Sequence, residues 1–194
     1  MSDRGPLSTY PMAESWLMQF DATDRLAAAR MLDAMLLLNE ERVSAALRLQ
    51  LYALADGRSG RHRRIALYAE REFGGTPAFD VRLICDANGR LRRRSIGRKG
   101  PEPVKPMRGS ERVGSEGLGA FVIWQVHETK PKSFMNHPGP DLIRGKTNPA
   151  GSIGVVTDFI GSGSRVRDML DAFWAAPSVR SWVSRKAACS GIWM

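Results

Sequence analysis

Gly154-Val155-Val156-Thr157-Asp158-Phe159-Ile160-Gly161-Ser162-Gly163-Ser164-Arg165 is the stretch whose reading decides the fold. The apolar run Ile153 to Thr157 enters a glycine-rich turn, as a buried parallel strand does. Val166, Met169, Leu170, Phe173 and Trp174 then recur at helical spacing until Pro177 stops them. Strand, glycine turn and amphipathic helix form half of a βαβ unit, which predicts an α/β domain with a parallel sheet. The strand carries Asp158 to the carboxyl edge of the sheet, where open α/β sheets bind ligands. Gly161 and Gly163 let the backbone turn and approach a ligand, and Ser162 and Ser164 add hydroxyl donors. The free amides at the helix start complete an anion site. An ordinary strand-to-helix turn also uses permissive glycines, but it does not require an acid at the strand end. A Walker loop needs Gly-Lys-Ser/Thr at this turn, and a dinucleotide fingerprint needs a third glycine near Val166; the stretch from Gly154 to Val166 has neither.

Upstream, the first ten or so residues read as a loose tail. Asp21 or Thr23 is placed to cap a helix to about Leu38, with Leu26, Ala29, Leu32 and Leu36 on one face. Asn39, Glu40 and Glu41 open a second helix carrying Val43, Ala46, Leu47, Leu51 and Leu54, ended by Gly57. The two form a helical hairpin, giving residues 1–57 as an N-terminal cap and 58–194 as the α/β domain. Ile65 to Ala69 fits a buried strand or a helix start, and periodicity does not decide between them. Val81 to Cys85 alternates as a strand, Asp86-Ala87-Asn88-Gly89 is a turn, and Arg90 to Arg94 returns as a hairpin. Gly97 to Gly109 is a loop. Ser115 and Glu116 open a helix through about His127, with Leu118, Phe121, Val122 and Gln125 on one face. A short helix is expected around Asp141 to Gly145.

The chain carries 29 Lys and Arg against 20 Asp and Glu, and the excess is uneven. Arg90 to Arg112 holds nine basic residues against Glu102 and Glu111. Such a segment favours an anionic partner, either a phosphorylated metabolite or nucleic acid, although a solvated loop has the same composition. Nearby aromatics are too sparse for a base-stacking platform. Cys85 and Cys189 lack metal-ligand spacing and read as small buried hydrophobes in a reducing cytoplasm. No apolar run approaches the roughly 20 residues of a membrane span, and the start of the chain lacks a signal-peptide core.

The Asp158 to Arg165 segment resembles the ribose-phosphate-binding motif of type I phosphoribosyltransferases: four apolar residues, two acids, two apolar residues and a loop ending Thr-Gly-x-Thr. The resemblance implies that Asp158 contacts ribose hydroxyls and that Gly161, Ser162, Gly163, Ser164 and Arg165 wrap a 5′-phosphate. Thr157 stands where the first acid sits in that family, Gly161 where many members keep a further acid, and Arg165 where the final hydroxyl residue sits. From about Trp16 to Lys186 the chain is also similar to phosphoribosyltransferase-like proteins of bacterial conflict or defence systems. That likeness is carried by Trp16-Leu17-Met18-Gln19-Phe20, Asp24-Arg25, Val113-Gly114-Ser115-Glu116-Gly117 and Asp158-Phe159-Ile160-Gly161-Ser162-Gly163. It implies a ligand of the phosphoribosyl pyrophosphate type, magnesium as candidate cofactor, and an effector or accessory role. It places Arg90 to Arg94 on a hood near pyrophosphate. Such a fold adds a further central strand after the Phe173 helix. Ala187 to Met194 is too irregular for one, so the resemblance suggests a truncated or frame-shifted copy.

Glu70, Glu72 and Glu116 are the acids to consider for magnesium or general-base work, with Glu116 better suited to complementing a helix dipole in its first turn. His62, His127 and His137 have no second ligand at helical spacing, which argues against a metal site.

Overall fold

The computed structural model describes residues 5–35, 38–60, 63–102 and 115–190, the side chains of 115–116 and 186–190 excepted. Two compact units divide between Asn39 and Glu40. The boundary expected after residue 57 thus falls earlier, and the helix at 40–56 belongs with the sheet.

The first unit holds a 3-10 turn, Leu7–Thr9, and helices α1 (Pro11–Leu17) and α2 (Arg25–Asp33). Of the expected loose tail, residues 1–4 lie outside the described residues, and Ser8 is tied to α2. The backbone N–H and hydroxyl of Ser8 donate to the two Asp33 carboxylate oxygens at 2.7 and 2.8 Å. Trp16 packs edge-on against Phe20 with ring centres 4.8 Å apart. Helix α2 stops at Asp33, short of Leu38, and Leu36 lies outside the described residues.

The second unit is built on strand β1 (Arg64–Ala69), which settles the open reading of Ile65–Ala69. β1 lies between β4 (Phe134–Asn136) and β5 (Ala150–Val156), and both pairings are parallel. Its alternate side chains feed two cores. Ile65, Leu67 and Ala69 pack with Leu51 and Ala55 of α3 (Glu40–Asp56) and with Val122, Ile123 and Val126 of α4 (Ser115–Thr129). Ala66 and Tyr68 pack with Ile143 of α5 (Pro140–Ile143), Met169 and Phe173 of α6 (Ser164–Ala175), and Trp182 of α7 (Pro177–Ser190). Helices on both faces of a parallel sheet make this an α/β sandwich. Among the described residues no helix is long and apolar enough to cross a membrane.

Helix α4 presents a different face from the one expected. Val122, Ile123 and Val126 are buried, whereas Phe121 is half exposed and stacks on Trp124 at 5.9 Å. The buried face is set one residue, about 100° of helix rotation, round from the expected one, and α3 covers the flank, where Arg48 Nη1 donates to Gln125 Oε1 at 2.7 Å. Pro177 does stop α6, but it starts α7 instead of leading to a strand. Ala176, held extended by the following proline (ψ 116°), is the only break between the two helices.

The hairpin of β2 (Val81–Cys85) and β3 (Leu91–Ser95) forms as expected, in register Val81 with Ser95 and Cys85 with Leu91. Asp86 organises its turn by accepting from the Asn88 and Arg90 amides at 2.9 and 3.0 Å, with Gly89 left-handed at φ 73°. The Arg90 amide bond, ahead of the Asn88 amide and Arg92, holds the Asp86 carboxyl below the usual carboxylate range. Cys85 is exposed, contrary to the buried thiol expected, because β2 turns that side of the hairpin outward. The side chain of Cys189 lies outside the described residues.

A clasp fixes the hairpin to the sandwich. Gly139 N–H donates to Arg98 O at 2.8 Å, Gly100 N–H to His137 O at 2.8 Å and Gly97 N–H to Asp141 Oδ2 at 2.8 Å. The strands approach so closely that a Cβ at Gly139 would sit 2.2 Å from the Gly97 carbonyl oxygen. Backbone on both sides leaves no flexible group to yield. Gly139→Ala is therefore expected to cost about 2–3 kcal/mol in urea unfolding. Gly57→Ala, where an added Cβ meets nothing within 4 Å, is expected to stay within about 0.5 kcal/mol.

Candidate functional site

Chain order and sheet order together place the site. Of the three parallel strands, β1 comes first, β4 second to one side and β5 third to the other. The crossovers therefore diverge between β1 and β5, and a crevice opens where such a reversal occurs at the carboxyl ends. Glu70, Arg71 and Glu72 leave β1 at that point, and Thr157 and Asp158 leave β5. The Glu70 N–H still donates to Val156 O at 2.9 Å, so the two chains separate just beyond it. Gly119 of α4 abuts the same end, where a Cβ would lie 3.2 Å from Val156 O.

The loop after β5 is open. Asp158, Phe159, Ile160, Gly161 and Ser162 are exposed, with Phe159 75% and Ile160 61% accessible. Asp158 has no hydrogen bond or ion pair among the described residues. The Thr157 hydroxyl bonds the Phe159 carbonyl at 3.0 Å, which turns the chain directly after the strand. Gly163 caps α6 in the left-handed region, φ 75° and ψ 2°, a conformation that a residue with a Cβ adopts only under strain. Ser162 Oγ lies 2.9 Å from Ser164 Oγ and 3.4 Å from the Ser164 amide. No backbone carbonyl accepts from the Gly161, Ser162 or Gly163 amides among the described residues.

Arg165 behaves differently from a free phosphate ligand. Its Nε lies 3.1 Å from Glu72 Oε1 and 3.6 Å from Glu70 Oε1, which bridges the first turn of α6 to the end of β1. Glu70 is buried at 8% exposure, so this guanidinium offsets the cost of holding a carboxylate there. A cavity of about 780 Å³ begins beside the pair. Glu72, Phe73, Phe79, Ser164, Arg165 and Asp168 contribute to its wall.

Of the residues expected to form the site, Ser162 and Ser164 meet, Ser164 and Arg165 line the cavity, and Glu70 and Glu72 adjoin through Arg165, while Asp158, Gly161 and Gly163 lie in the same loop outside that lining. The Glu116 side chain and His62 lie outside the described residues. His127 is structural, its Nδ1 lying 3.0 Å from Phe134 O. Of the basic segment, Arg90 to Glu102 is described, and Arg92 and Arg94 there pair with Asp86 and Asp141 at 2.8 and 3.5 Å. Among the described residues no group of three or more His, Cys, Asp or Glu is arranged to hold a metal ion.

His137 is a site neighbour that periodicity had no means of finding. It follows β4 with φ 42°, and its Nε2 accepts the Ala69 N–H at 2.9 Å. That acceptance fixes the proton on Nδ1, which donates to Asn136 Oδ1 at 2.6 Å. Tyr68 stands edge-on at 5.8 Å, and its hydroxyl donates to Pro138 O. A strand-end amide that lacks a further strand residue is satisfied by an imidazole instead.

Comparison with protein-family models, with curated proteins and with solved structures finds no match to this chain.

Burial, and secondarily the Arg71 charge, pushes His137 down to about 4. Unfolded, the same ring titrates near 6.5. The unfolded chain takes the proton first, so the stability tied to the neutral ring is complete above about pH 6.5 and declines as pH falls toward 4. Unfolding midpoints measured across that window are expected to fall more steeply for wild type than for His137→Gln, which has no ring to protonate.

Proposed function

We propose that the crevice between β1 and β5 binds a ribose 5-phosphate group, as in a ligand of the phosphoribosyl pyrophosphate type. The observation that carries the reading is the exposed Asp158 carboxylate beside a left-handed glycine and unclaimed amides at the head of a 12-residue helix. A phosphate seated on residues 161–164 meets amide N–H groups, two hydroxyls and the positive end of α6. Asp158, two residues beyond the last residue of β5, accepts hydrogen bonds from vicinal hydroxyls of the attached sugar. The open crevice leaves room for the rest of the ligand.

The chain in this reading is a phosphoribosyltransferase-like α/β protein of the kind resembled by its loop sequence, with an effector role in bacterial defence. A magnesium ion would be held by Asp158 together with the ligand's phosphate oxygens, the common arrangement for that ion. It supplies charge neutralisation at a diphosphate. Arg165 contributes by way of its carboxylate partners: it steadies the buried Glu70 and holds Glu72 at the cavity wall, where Glu72 would meet hydroxyl or amine groups.

Isothermal calorimetry with phosphoribosyl pyrophosphate tests the proposal. Wild type is expected to bind, and Asp158→Ala to bind at least about tenfold more weakly, since a charge-assisted hydrogen bond contributes about 1.5–3 kcal/mol. Absence of heat with folded wild-type protein would refute the reading.

A further inference from the structure

A second cavity, of about 380 Å³, lies between the hairpin, the end of α5 and the start of α7. It shares no residue with the 158–165 loop. Arg92, Arg93 and Arg94 of β3 line it together with Arg144, which follows α5, and Ser178 and Ser181 of α7. The acids nearby are already engaged. Asp86 takes Arg92 Nε at 2.8 Å, and Asp141 takes both Arg94 Nη2 at 3.5 Å and the Gly97 amide at 2.8 Å. The side chains of Arg93 and Arg144 have no hydrogen bond or ion pair among the described residues.

Arg144 carries the argument. Its guanidinium is partly buried, and that burial lowers its pKa; Arg185 and then Arg94 lower it further, against a smaller opposing effect of Asp141. Like charges held together at a half-dry wall repel one another, and a folded chain lowers that energy by admitting a counter-ion. The guanidinium is a planar fork that pairs two N–H groups with two oxygens, and its preferred anions are phosphates and carboxylates. A dianion neutralises several such forks at once, whereas a carboxylate neutralises one. The volume suits a small ligand, being near the lower end for ligand pockets at about 300–1,000 Å³.

We propose that this cavity is a second anion site that takes the phosphate group of a small phosphorylated molecule, independently of the Asp158 loop. The pairing of Arg92 and Arg94 with fixed acids presents the neighbouring forks in set positions, and Arg144 supplies the uncommitted charge. The first turn of α7, which begins beside this wall at Pro177, adds potential of the same sign.

The experiment is thermal unfolding of the full chain in rising inorganic phosphate, with sodium chloride at matched ionic strength as reference. Wild type and Gly163→Ala are expected to gain about 3–5 °C at saturating phosphate over chloride. Arg144→Gln is expected to lose that gain, while melting no lower than wild type in phosphate-free buffer because a repelled charge has been removed. Arg185→Gln is expected to reduce the gain and retain the fold. An equal gain in chloride, an unchanged gain in Arg144→Gln, or a response only to an oligonucleotide would overturn the proposal. So would lower stability of Arg144→Gln without phosphate, which would mark the arginine as structural. Loss of the gain in Gly163→Ala, which strains the left-handed turn that aims the 161–164 amides, would assign the phosphate to the loop instead and equally overturn it.

Discussion

A strand that is covered on both faces must be apolar on both and must find ladder partners along both edges. Ile65–Ala69 meets those demands, with every residue almost fully buried. Its odd and even positions draw α3 and α4 to one face and α5, α6 and α7 to the other. Its edges take β4 and β5 in parallel. Because the two partners arrive from connections that leave in opposite directions, the same strand that holds the core also fixes where the crevice opens. Stability and site position are thus consequences of one segment of five side chains.

Much of the architecture can be read in the residues. The β5 strand, its glycine turn and helix α6 follow from an apolar run, two glycines and a 3.6-residue repeat. The hairpin follows from alternation around Asp86 to Gly89. What could not be read was set by contacts distant in sequence. Ile65–Ala69 is too short for periodicity to separate strand from helix, and it became a strand because β4 and β5 pair with it. The inward face of α4 was misjudged because Phe121 and Trp124, the largest apolar residues there, stack on each other outside the core. Leu54 on α3 is likewise exposed while the smaller Ala55 is buried, since α3 lies close against α4 and the sheet.

The site shows the same division. Asp158, the glycines and the serines are legible because loop chemistry is local: a strand end, a left-handed turn and a helix start occupy consecutive residues. The links from Arg165 to Glu70 and Glu72 span 95 and 93 positions and exist only because β1 and β5 are neighbours. His137 is less accessible still, since its role is to accept a backbone proton from Ala69 across the sheet. Close approaches such as Gly139 against Gly97 leave only a glycine in the sequence, with nothing there to say what it faces.

One guanidinium spans the divide between the two strand exits, and this has a bearing on how the molecule would register occupancy. Arg165 cannot turn fully toward an anion on its own loop without releasing a carboxylate sheltered at the end of β1. Whatever seats beside it therefore competes with an internal counter-charge, and the segment from Glu70 onward would relax or tighten accordingly. In this one side chain the terminus of β1 and the first turn of α6 share a charge balance.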